Sequence, residues 1–392
     1  MSDLRDPAVI AQEPSIEIDA LSQVLCMLVE SKSVNPGMGE EAVAARVAST
    51  LGEFECDVNF IESLPDRRSI AAVVKCRKSG PRLVLNGHMD TVGIDELSAW
   101  SVNPFAGEIR EGFLYGRGAC DMKAGLTTLL AVGRYVSKHR EALRGELVLH
   151  FAIGEERGEP GTASLIAAGF GGDAGIVTEP SELNVAVAQR GLAFFDITIA
   201  GRSAHASRPE IGMNPIPSVP AVLDVLATHE REIGVRTHAL LPPGTCTPTM
   251  IHAGVQPNSL ADRCEVTIDR RLLPGETPEE ELAILQEKLR TIPGVDVSLR
   301  PHNFRPAEVS PECSIATRLV DATAVMTERS AEVRGAPYAT DCSVLVHEGG
   351  MEAVVFGPGD PTECHCPDER VSLAQLRDAS LVLTKVAVDF LS

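Results

Sequence analysis

A histidine and an aspartate follow a strongly apolar segment near the start of the chain. In "LVLNGHMDTV", His88 comes three residues after the apolar Leu83, Val84 and Leu85, and Asp90 lies two residues further on. Alternate residues of a strand point to the same side, so these two side chains are expected to point the same way. A metal-ligating imidazole usually donates its other ring N–H to a carboxylate. The pair is therefore typical of a metal ligand with its orienting partner, and a buried strand that ends in polar turn residues is the alternative.

Carboxylates recur in three later segments. Asp121 lies in the glycine-rich "GRGACDMKAG", Glu155 and Glu156 follow the strand-like "GELVLHFAI", and Glu179 lies in "AGIVTEP". Each has an ordinary alternative, which is a helix N-cap for Asp121 and a solvated turn for the glutamates. Two adjacent carboxylates after a buried strand are costly, however, unless cations or protons compensate their charge.

His365, in "ECHCPDE", completes a set of two histidines and three carboxylates. Such a set suits two divalent metal ions that share one bridging carboxylate. The five candidate ligands are His88, Asp121, Glu156, Glu179 and His365. Cys364 and Cys366 flank His365 and are expected to point away from it. The alternatives are that these thiols capture a metal or that their oxidation disables the site.

The segments that must position these residues alternate between strand and helix patterns. "SIAAVVKC", "PRLVLNG" and "GELVLHFAI" have the composition of strands, whereas "ALSQVLCMLVE" and "AGLTTLLAVGRYV" have that of helices. This alternation predicts an α/β fold with a mostly parallel sheet covered on both faces. Ligands in such folds bind at the carboxyl ends of strands, which is where "GHMD", "GEE" and "TEP" are expected to lie.

The pattern changes at about residue 190. "GLAFFDITIAG" alternates as a half-buried strand does, further strand-like segments follow, and "TPEEELAILQEKLRTI" begins with a helix cap at Thr277. Two helices over an antiparallel sheet predict an inserted α+β domain over residues 190–302. The catalytic domain would then consist of residues 1–189 and 303–392.

Composition limits the class of partner. The chain has 392 residues and a formal net charge of -20, which disfavours nucleic acid and anionic membranes as partners. The acidic first twenty residues predict no secretory signal, and no apolar run reaches the ~20 residues that span a membrane. Ten cysteines without CxxC pairs indicate a reducing compartment. We therefore expect a cytoplasmic protein that acts on a small molecule.

Taken together, the motifs resemble those of the metallo-aminoacylase superfamily, which includes acetylornithine deacetylase, succinyl-diaminopimelate desuccinylase, aminoacylase and the glutamate carboxypeptidases. The resemblance extends over nearly the whole chain. It rests on "GHMDTV", "GRGACDMKAG", "GEE", "VTEP", "GRSAHAS", "PNSLAD", "DRRLLPGE", "TDCSVL", "GPGD" and "HCPDE". A cysteine at position 364 departs from the small residue usual in relatives.

The resemblance implies a role for each matching residue. Asp121 would bridge two metal ions, most often zinc, with cobalt or manganese as alternatives. His88 and Glu179 would complete the coordination of one ion, and Glu156 and His365 that of the other. In addition, Glu155 would act as the general base, and Asp90 would orient His88. The inserted domain would be a ferredoxin-like dimerisation (lid) domain of a homodimer. His205 in this domain would reach the active site of the neighbouring subunit and polarise the scissile carbonyl of the substrate. Asn258 and Arg271 would hold the substrate carboxylate, with help from the loop that contains Gly357 and Gly359.

Three functions compete. The leading one is hydrolysis of the amide C–N bond of a small N-acylated amino acid or related carboxylated substrate. The second is an aminohydrolase that releases ammonia from a C–N bond that is not a peptide. The third is a catalytically silent binding or assembly protein, which would require the loss of a ligand or of the base, and all of these are present. A dinucleotide-binding enzyme is disfavoured because no GxGxxG motif follows the early strands.

Overall fold

In this computed structural model, residues 16–301 and 303–392 are described, and they form two compact units. Among the described residues, the first unit consists of the chain up to Val187, Val309–Arg334 and Thr340–Ser392, and the second of Ala188–Glu308 and Gly335–Ala339. The boundaries predicted from the sequence were 190 and 302. The start of the chain and His302, which matches no motif, lie outside the described residues. Residues 335–339 also belong to the second unit, and the sequence pattern did not predict this.

The first unit contains most of the helices and the larger sheet. Its helices are α1 (Ile18–Glu30), α2 (Glu41–Leu51), α3 (Ala124–His139), α4 (Gly161–Ala167), α7 (Ser314–Met326), α8 (Cys342–His347) and α9 (Leu373–Phe390). Its strands are β1 (Asp57–Leu64), β2 (Arg67–Lys75), β3 (Lys78–His88), β4 (Glu108–Arg110), β5 (Phe113–Tyr115), β6 (Arg144–Ala152), β7 (Ala174–Val177), β15 (Glu352–Val355) and β16 (Arg370–Ser372). Two further strands, β8 (Val185–Gln189) and β14 (Val333–Ala336), lie where the chain passes between the units.

Seven strands of the large sheet follow one another in the order β1-β2-β6-β3-β7-β15-β8. Its four central strands, from β6 to β15, are parallel, whereas β1, β2 and β8 pair in antiparallel fashion. The second half of β3 is buried without interruption, as expected of a strand covered on both faces. The predicted α/β fold with its α+β insert is confirmed, and the antiparallel pairs are confined to the two ends of the sheet.

A small sheet in the first unit has the order β16-β5-β4. It fixes the segment before Asp121 against the segment after His365, because Arg370 pairs with Tyr115 and the Gly116 N–H donates to Glu369 O at 2.8 Å. This sheet therefore brings together two loops that lie far apart in the sequence.

The second unit is a four-stranded antiparallel sheet with two helices. Its sheet and helices are β9 (Gly191–Ala200), β10 (Thr245–Ala253), β11 (Arg263–Leu272), β12 (Val295–Leu299), α5 (Val219–Ile233) and α6 (Pro278–Leu289). A further short strand, β13 (Ala307–Glu308), lies outside this sheet and pairs with Ala188 and Gln189 of β8. The strand order is β10-β11-β9-β12, so the edges are β10 and β12, and the strand that leads to His205 is interior. Every second residue of β9 is buried in a core shared with the two helices. Thr277 caps α6, and its side chain accepts the Glu280 N–H at 3.2 Å.

No described helix combines the length and the apolar character that crossing a membrane requires. All ten cysteines carry free thiols.

Candidate metal centre

The parallel strands bring three of the candidate ligands to one edge of the sheet. β3 lies between β6 and β7, with His88 opposite Ala152 and Asn86 opposite Val177. Glu179 comes two residues after Val177, as His88 comes two residues after Asn86, so the two side chains meet. Glu155 and Glu156 follow β6 in a short 3-10 turn.

Asp121 lies in a distorted turn just before α3. Its φ of -116° and ψ of 96° are not helical, and the N-cap of α3 is Lys123. Asp121 Oδ1 lies 3.1 Å from His88 Nε2, and Oδ2 lies 3.1 Å from His365 Nε2. The carboxylate therefore lies between two imidazoles, with one of its oxygens close to each ring. The helix-cap alternative for Asp121 does not describe this arrangement.

Each histidine is also close to a glutamate. His88 Nε2 lies 3.3 Å from Glu179 Oε1 and 3.8 Å from Glu155 Oε2, whereas His365 Nε2 lies 3.1 Å from Glu156 Oε2. The structure thus brings together all five ligands expected from the sequence, with Glu155 beside them. His88 is buried, and His365 is half-exposed with a left-handed backbone φ of 59°.

The donor set fits divalent cations. Burial and the nearby charge of Asp121 raise the pKa of Glu156 to about 7 and that of Glu179 to about 8. Burial also raises the pKa of Glu155 well above its usual range. So many buried carboxylates are stable together only if positive charge compensates them. Imidazole and carboxylate ligands in this number suit zinc, cobalt or manganese.

Asp90 stands behind His88 and also holds the glutamate turn. His88 Nδ1 faces the Asp90 backbone oxygen at 3.0 Å and the Asp90 carboxylate at 3.4 Å, which leaves Nε2 to face the candidate metal site. The same carboxylate accepts the backbone N–H groups of Glu155 at 3.1 Å and Glu156 at 3.3 Å. Although burial opposes it, contact with His88 and Asn35 lowers the pKa of Asp90.

The glycines expected to bind substrate have a packing role in this structure. A Cβ on Gly357 would lie 2.4 Å from Thr178 O and 2.5 Å from Glu179 O, so only glycine lets this loop reach the strand end that carries Glu179. Gly359 has a φ of 105°, and a Cβ there would lie 2.5 Å from Cys120 Sγ.

In the second unit, His205 and Asn258 lie side by side. The Ala206 N–H donates to Asn258 O at 3.0 Å, and His205 forms an isolated bridge with Ser259. His205 Nδ1 accepts the Ser207 backbone N–H at 3.1 Å. In the neutral ring the proton is therefore on Nε2, and the exposed His205 offers an N–H donor there.

Arg271 lies at the other end of the same small sheet. Arg263, next to Ala200, and Arg271, next to Leu192, are eight residues apart on β11, or roughly 27 Å at ~3.4 Å per residue. Arg271 is held in two contacts by Asp269, at 2.9 Å and 3.1 Å, and with Arg190 it lines an open cavity of about 480 Å³. Within one chain, Arg271 and the His205–Asn258 pair cannot contact the same substrate group.

The profile of the peptidase family M20/M25/M40 matches residues 84–389, which is more than half of the chain. The chain belongs to this family. It is a hydrolase, and its cluster of His88, Asp121, Glu155, Glu156 and Glu179 is the candidate dinuclear metal site expected of such an enzyme. The predicted resemblance is confirmed.

Several named proteins are similar to this chain in sequence or in structure. An N-formyl-4-amino-5-aminomethyl-2-methylpyrimidine deformylase from Halalkalibacterium halodurans is 28% identical over 82% of this chain and 82% of its own. A probable succinyl-diaminopimelate desuccinylase from Staphylococcus aureus is 25% identical over 81% of this chain and 88% of its own. The crystal structure of a dinuclear metal-binding M20 peptidase from Bacillus subtilis superposes with a TM-score of 0.70, at 17% identity, over 95% of this chain and 98% of that one.

The sequence analysis did not identify several buried, hydrogen-bonded residues of this M20 fold. Asn35 donates to Asp90 Oδ2 and to Glu159 Oε2, both at 3.0 Å, but its segment "VNPG" is not one of the motifs that indicated the site. The buried Asp341 accepts the Thr162 hydroxyl at 2.6 Å, and burial raises its pKa to about 6. The sequence offered "TDCSVL" as a motif but gave no reason for its aspartate.

Lys123 is also buried in the M20 fold. Its ammonium donates to Ser31 O at 2.9 Å, and burial lowers its pKa to about 7. This contact with a backbone carbonyl indicates that Lys123 fixes the α1 C-terminus.

Proposed function

We propose that this protein holds two divalent metal ions, zinc in the first instance and cobalt or manganese as alternatives, and hydrolyses the amide C–N bond of a small N-acylated amino acid or related carboxylated substrate. The observation that carries the proposal is the Asp121 carboxylate, whose two oxygens face different histidines. His88 and Glu179 would hold one ion with Asp121, and Glu156 and His365 the other. Two bound ions would lower the pKa of a water molecule to about 7 and polarise the amide carbonyl.

Glu155 is proposed as the general base. It lies within the ligand cluster, 3.8 Å from His88 Nε2, but it is farther from that nitrogen than Asp121 and Glu179 are. The Asp90 carboxylate fixes its backbone. A carboxylate at this position can take a proton from water and deliver it to the leaving nitrogen.

The second unit is proposed to supply groups that bind the substrate. The Nε2–H of His205 would donate to the oxyanion that develops on the carbonyl oxygen, and Asn258 lies beside it. Arg271 would contribute positive charge for a carboxylate. Since Arg271 and His205 lie at opposite ends of one small sheet, they would serve a single substrate only if His205 came from a second copy of the chain. This argument supports a homodimer.

The names of the relatives support hydrolysis of an N-acyl bond, but they differ in the acyl group that is removed. One is named as a deformylase and another as a desuccinylase, and both names describe removal of an acyl group from nitrogen. An aminohydrolase reaction remains the alternative, since a similar metal centre could serve it.

A panel of N-formyl, N-acetyl and N-succinyl substrates, each with and without a free carboxylate, tests the proposal. The protein is stripped with a chelator and reloaded with zinc, cobalt or manganese, and released carboxylic acid and ammonia are measured in parallel. We expect metal-dependent release of the acid, and preference for the carboxylated members. Release of ammonia alone would replace the proposal with the aminohydrolase reaction, and no release from any member would contradict both.

A further inference from the structure

Two thiols meet where the loops carrying Asp121 and His365 come together. Cys120 Sγ and Cys364 Sγ lie 3.7 Å apart, although the residues are 244 positions apart in the sequence. Each thiol immediately precedes a candidate metal ligand. A disulfide bond is ~2.05 Å long, so an approach of about 1.7 Å would join the two loops covalently.

The two cysteines differ in how firmly they are held and in how exposed they are to solvent. Cys120 is buried, its N–H donates to Glu369 Oε1 at 2.9 Å, and its sulfur contacts Asp360 O at 3.4 Å beneath the Gly359 turn. Cys364 is partly exposed and lies at the end of a single 3-10 turn. A solvent-borne oxidant would therefore reach Cys364 first, and the Cys364 loop would do most of the moving.

We propose that Cys120 and Cys364 form a reversible disulfide, with a small peroxide as the oxidant, and that this bond pulls His365 out of position for metal binding. Cys364 Sγ attacks one peroxide oxygen, the O–O bond breaks, and the products are a sulfenic acid and one water. Cys120 Sγ then attacks the Cys364 sulfur and releases a second water. The two thiols lose two electrons and two protons, and a dithiol reductant reverses the reaction.

The effect on the metal site follows from the backbone. Cys364 is bonded to His365, whose half-exposed side chain lies 3.1 Å from both Asp121 and Glu156. Metal–ligand distances tolerate only ~0.2 Å, which is much less than the approach that the sulfurs require. This step rests on the proposed role of His365 as a ligand. We expect the oxidised protein to bind metal at least ~10-fold more weakly at the His365 side of the site.

The chain offers a matched control in Cys366, which lies on the other side of His365 and contacts Glu363 O at 3.1 Å. Wild type, Cys364→Ser, Cys120→Ser and Cys366→Ser are reloaded with zinc and treated with hydrogen peroxide. Free thiols are counted, disulfide-linked peptides are identified by mass spectrometry, and zinc affinity is measured by competition with a chelator. We expect wild type and Cys366→Ser to lose two thiols, to yield the Cys120–Cys364 peptide, and to lose zinc affinity until dithiothreitol restores it. Cys364→Ser should retain its zinc affinity.

Several outcomes would overturn the proposal. The Cys120–Cys364 disulfide would be contradicted if the only linked peptide joined Cys364 to Cys366, or if no linked peptide formed. It would also be contradicted if the two thiols bound a third zinc ion and were thereby protected from oxidation. A bond that forms while zinc affinity stays constant would contradict the effect on His365. His365→Ala separates this result from failure of the proposed function, because zinc affinity equal to wild type in that variant would mean that the ligand assignment is at fault. If Cys120→Ser does not fold, Cys364→Ser alone decides.

Discussion

The Glu369 carboxylate holds the backbone of Asp121. Glu369 Oε1 accepts the Asp121 N–H at 3.0 Å, while Oε2 accepts from Arg117 at 2.6 Å, and both Glu369 and Arg117 are buried. A charged acceptor with no exposure to water aligns the turn that carries the proposed bridging ligand. Glu369 is therefore a positioning residue for Asp121.

Glu369→Gln should weaken both the metal site and the fold. Loss of one partner leaves Arg117 as a buried unpaired charge, a change that costs about 3–5 kcal/mol of unfolding free energy. Metal affinity should fall ~10–100-fold, as is typical when the support of a ligand is lost. Chemical denaturation and metal titration measure the two effects. Glu363→Gln, in the same loop but in a partly exposed pair with Arg370, should change stability by no more than about 1 kcal/mol. Equal effects of the two variants would refute this role.

The neighbours Glu155 and Glu156 should respond differently to the same substitution. Glu155→Gln should keep the metal content of wild type but lower turnover by at least ~100-fold, because it removes only the proposed base. Glu156→Gln should lose metal together with activity. Elemental analysis and steady-state rates on the same preparations distinguish the two. Full activity in Glu155→Gln would exclude this residue from the reaction.

The sequence predicted the site residues that lie at strand ends. It did not predict the residues that support the site from distant parts of the chain. The apolar segments before His88, Glu155 and Glu179 indicated buried parallel strands, and parallel strands place their carboxyl ends at one edge. Glu369, by contrast, supports Asp121 from 248 positions away. No local pattern encodes that contact, or the contact between Cys120 and Cys364, because each depends on how the small β16-β5-β4 sheet joins distant segments. Similarly, the alternation of β9 indicated a half-buried strand but not its interior place in the sheet.

Buried His150 should make stability depend on pH. Its Nε2 lies 2.9 Å from Phe170 O, and burial lowers its pKa from 6.5 to about 4. Between these pH values the unfolded chain binds a proton that the folded chain does not, so stability falls as pH falls through this range. The shift corresponds to about 3 kcal/mol. In metal-free protein, the unfolding free energy of wild type should fall relative to that of His150→Gln by up to this amount between pH 7 and pH 4. Parallel stability curves would contradict the assignment.

The final prediction concerns the copy of the chain that supplies His205. In the proposed homodimer each active site takes Glu155 from one chain and His205 from the other, so homodimers of Glu155→Ala and of His205→Ala should both be nearly inactive. In a mixed dimer, one site carries both lesions and the other carries neither. If chains pair at random, half of the dimers are mixed and each has one intact site, which restores about a quarter of wild-type activity.

The two variants are unfolded and refolded together, and a tagged copy of one chain verifies that subunits have exchanged. Each variant refolded alone serves as the control for recovery of structure. We expect activity only in the mixture, rising to a maximum at equal amounts of the two chains. Proven exchange without recovery would mean that His205 serves its own subunit or has no part in the reaction. The arrangement of the second unit favours the shared site, because His205 and Arg271 lie at opposite ends of one sheet and a single chain cannot bring both to one substrate.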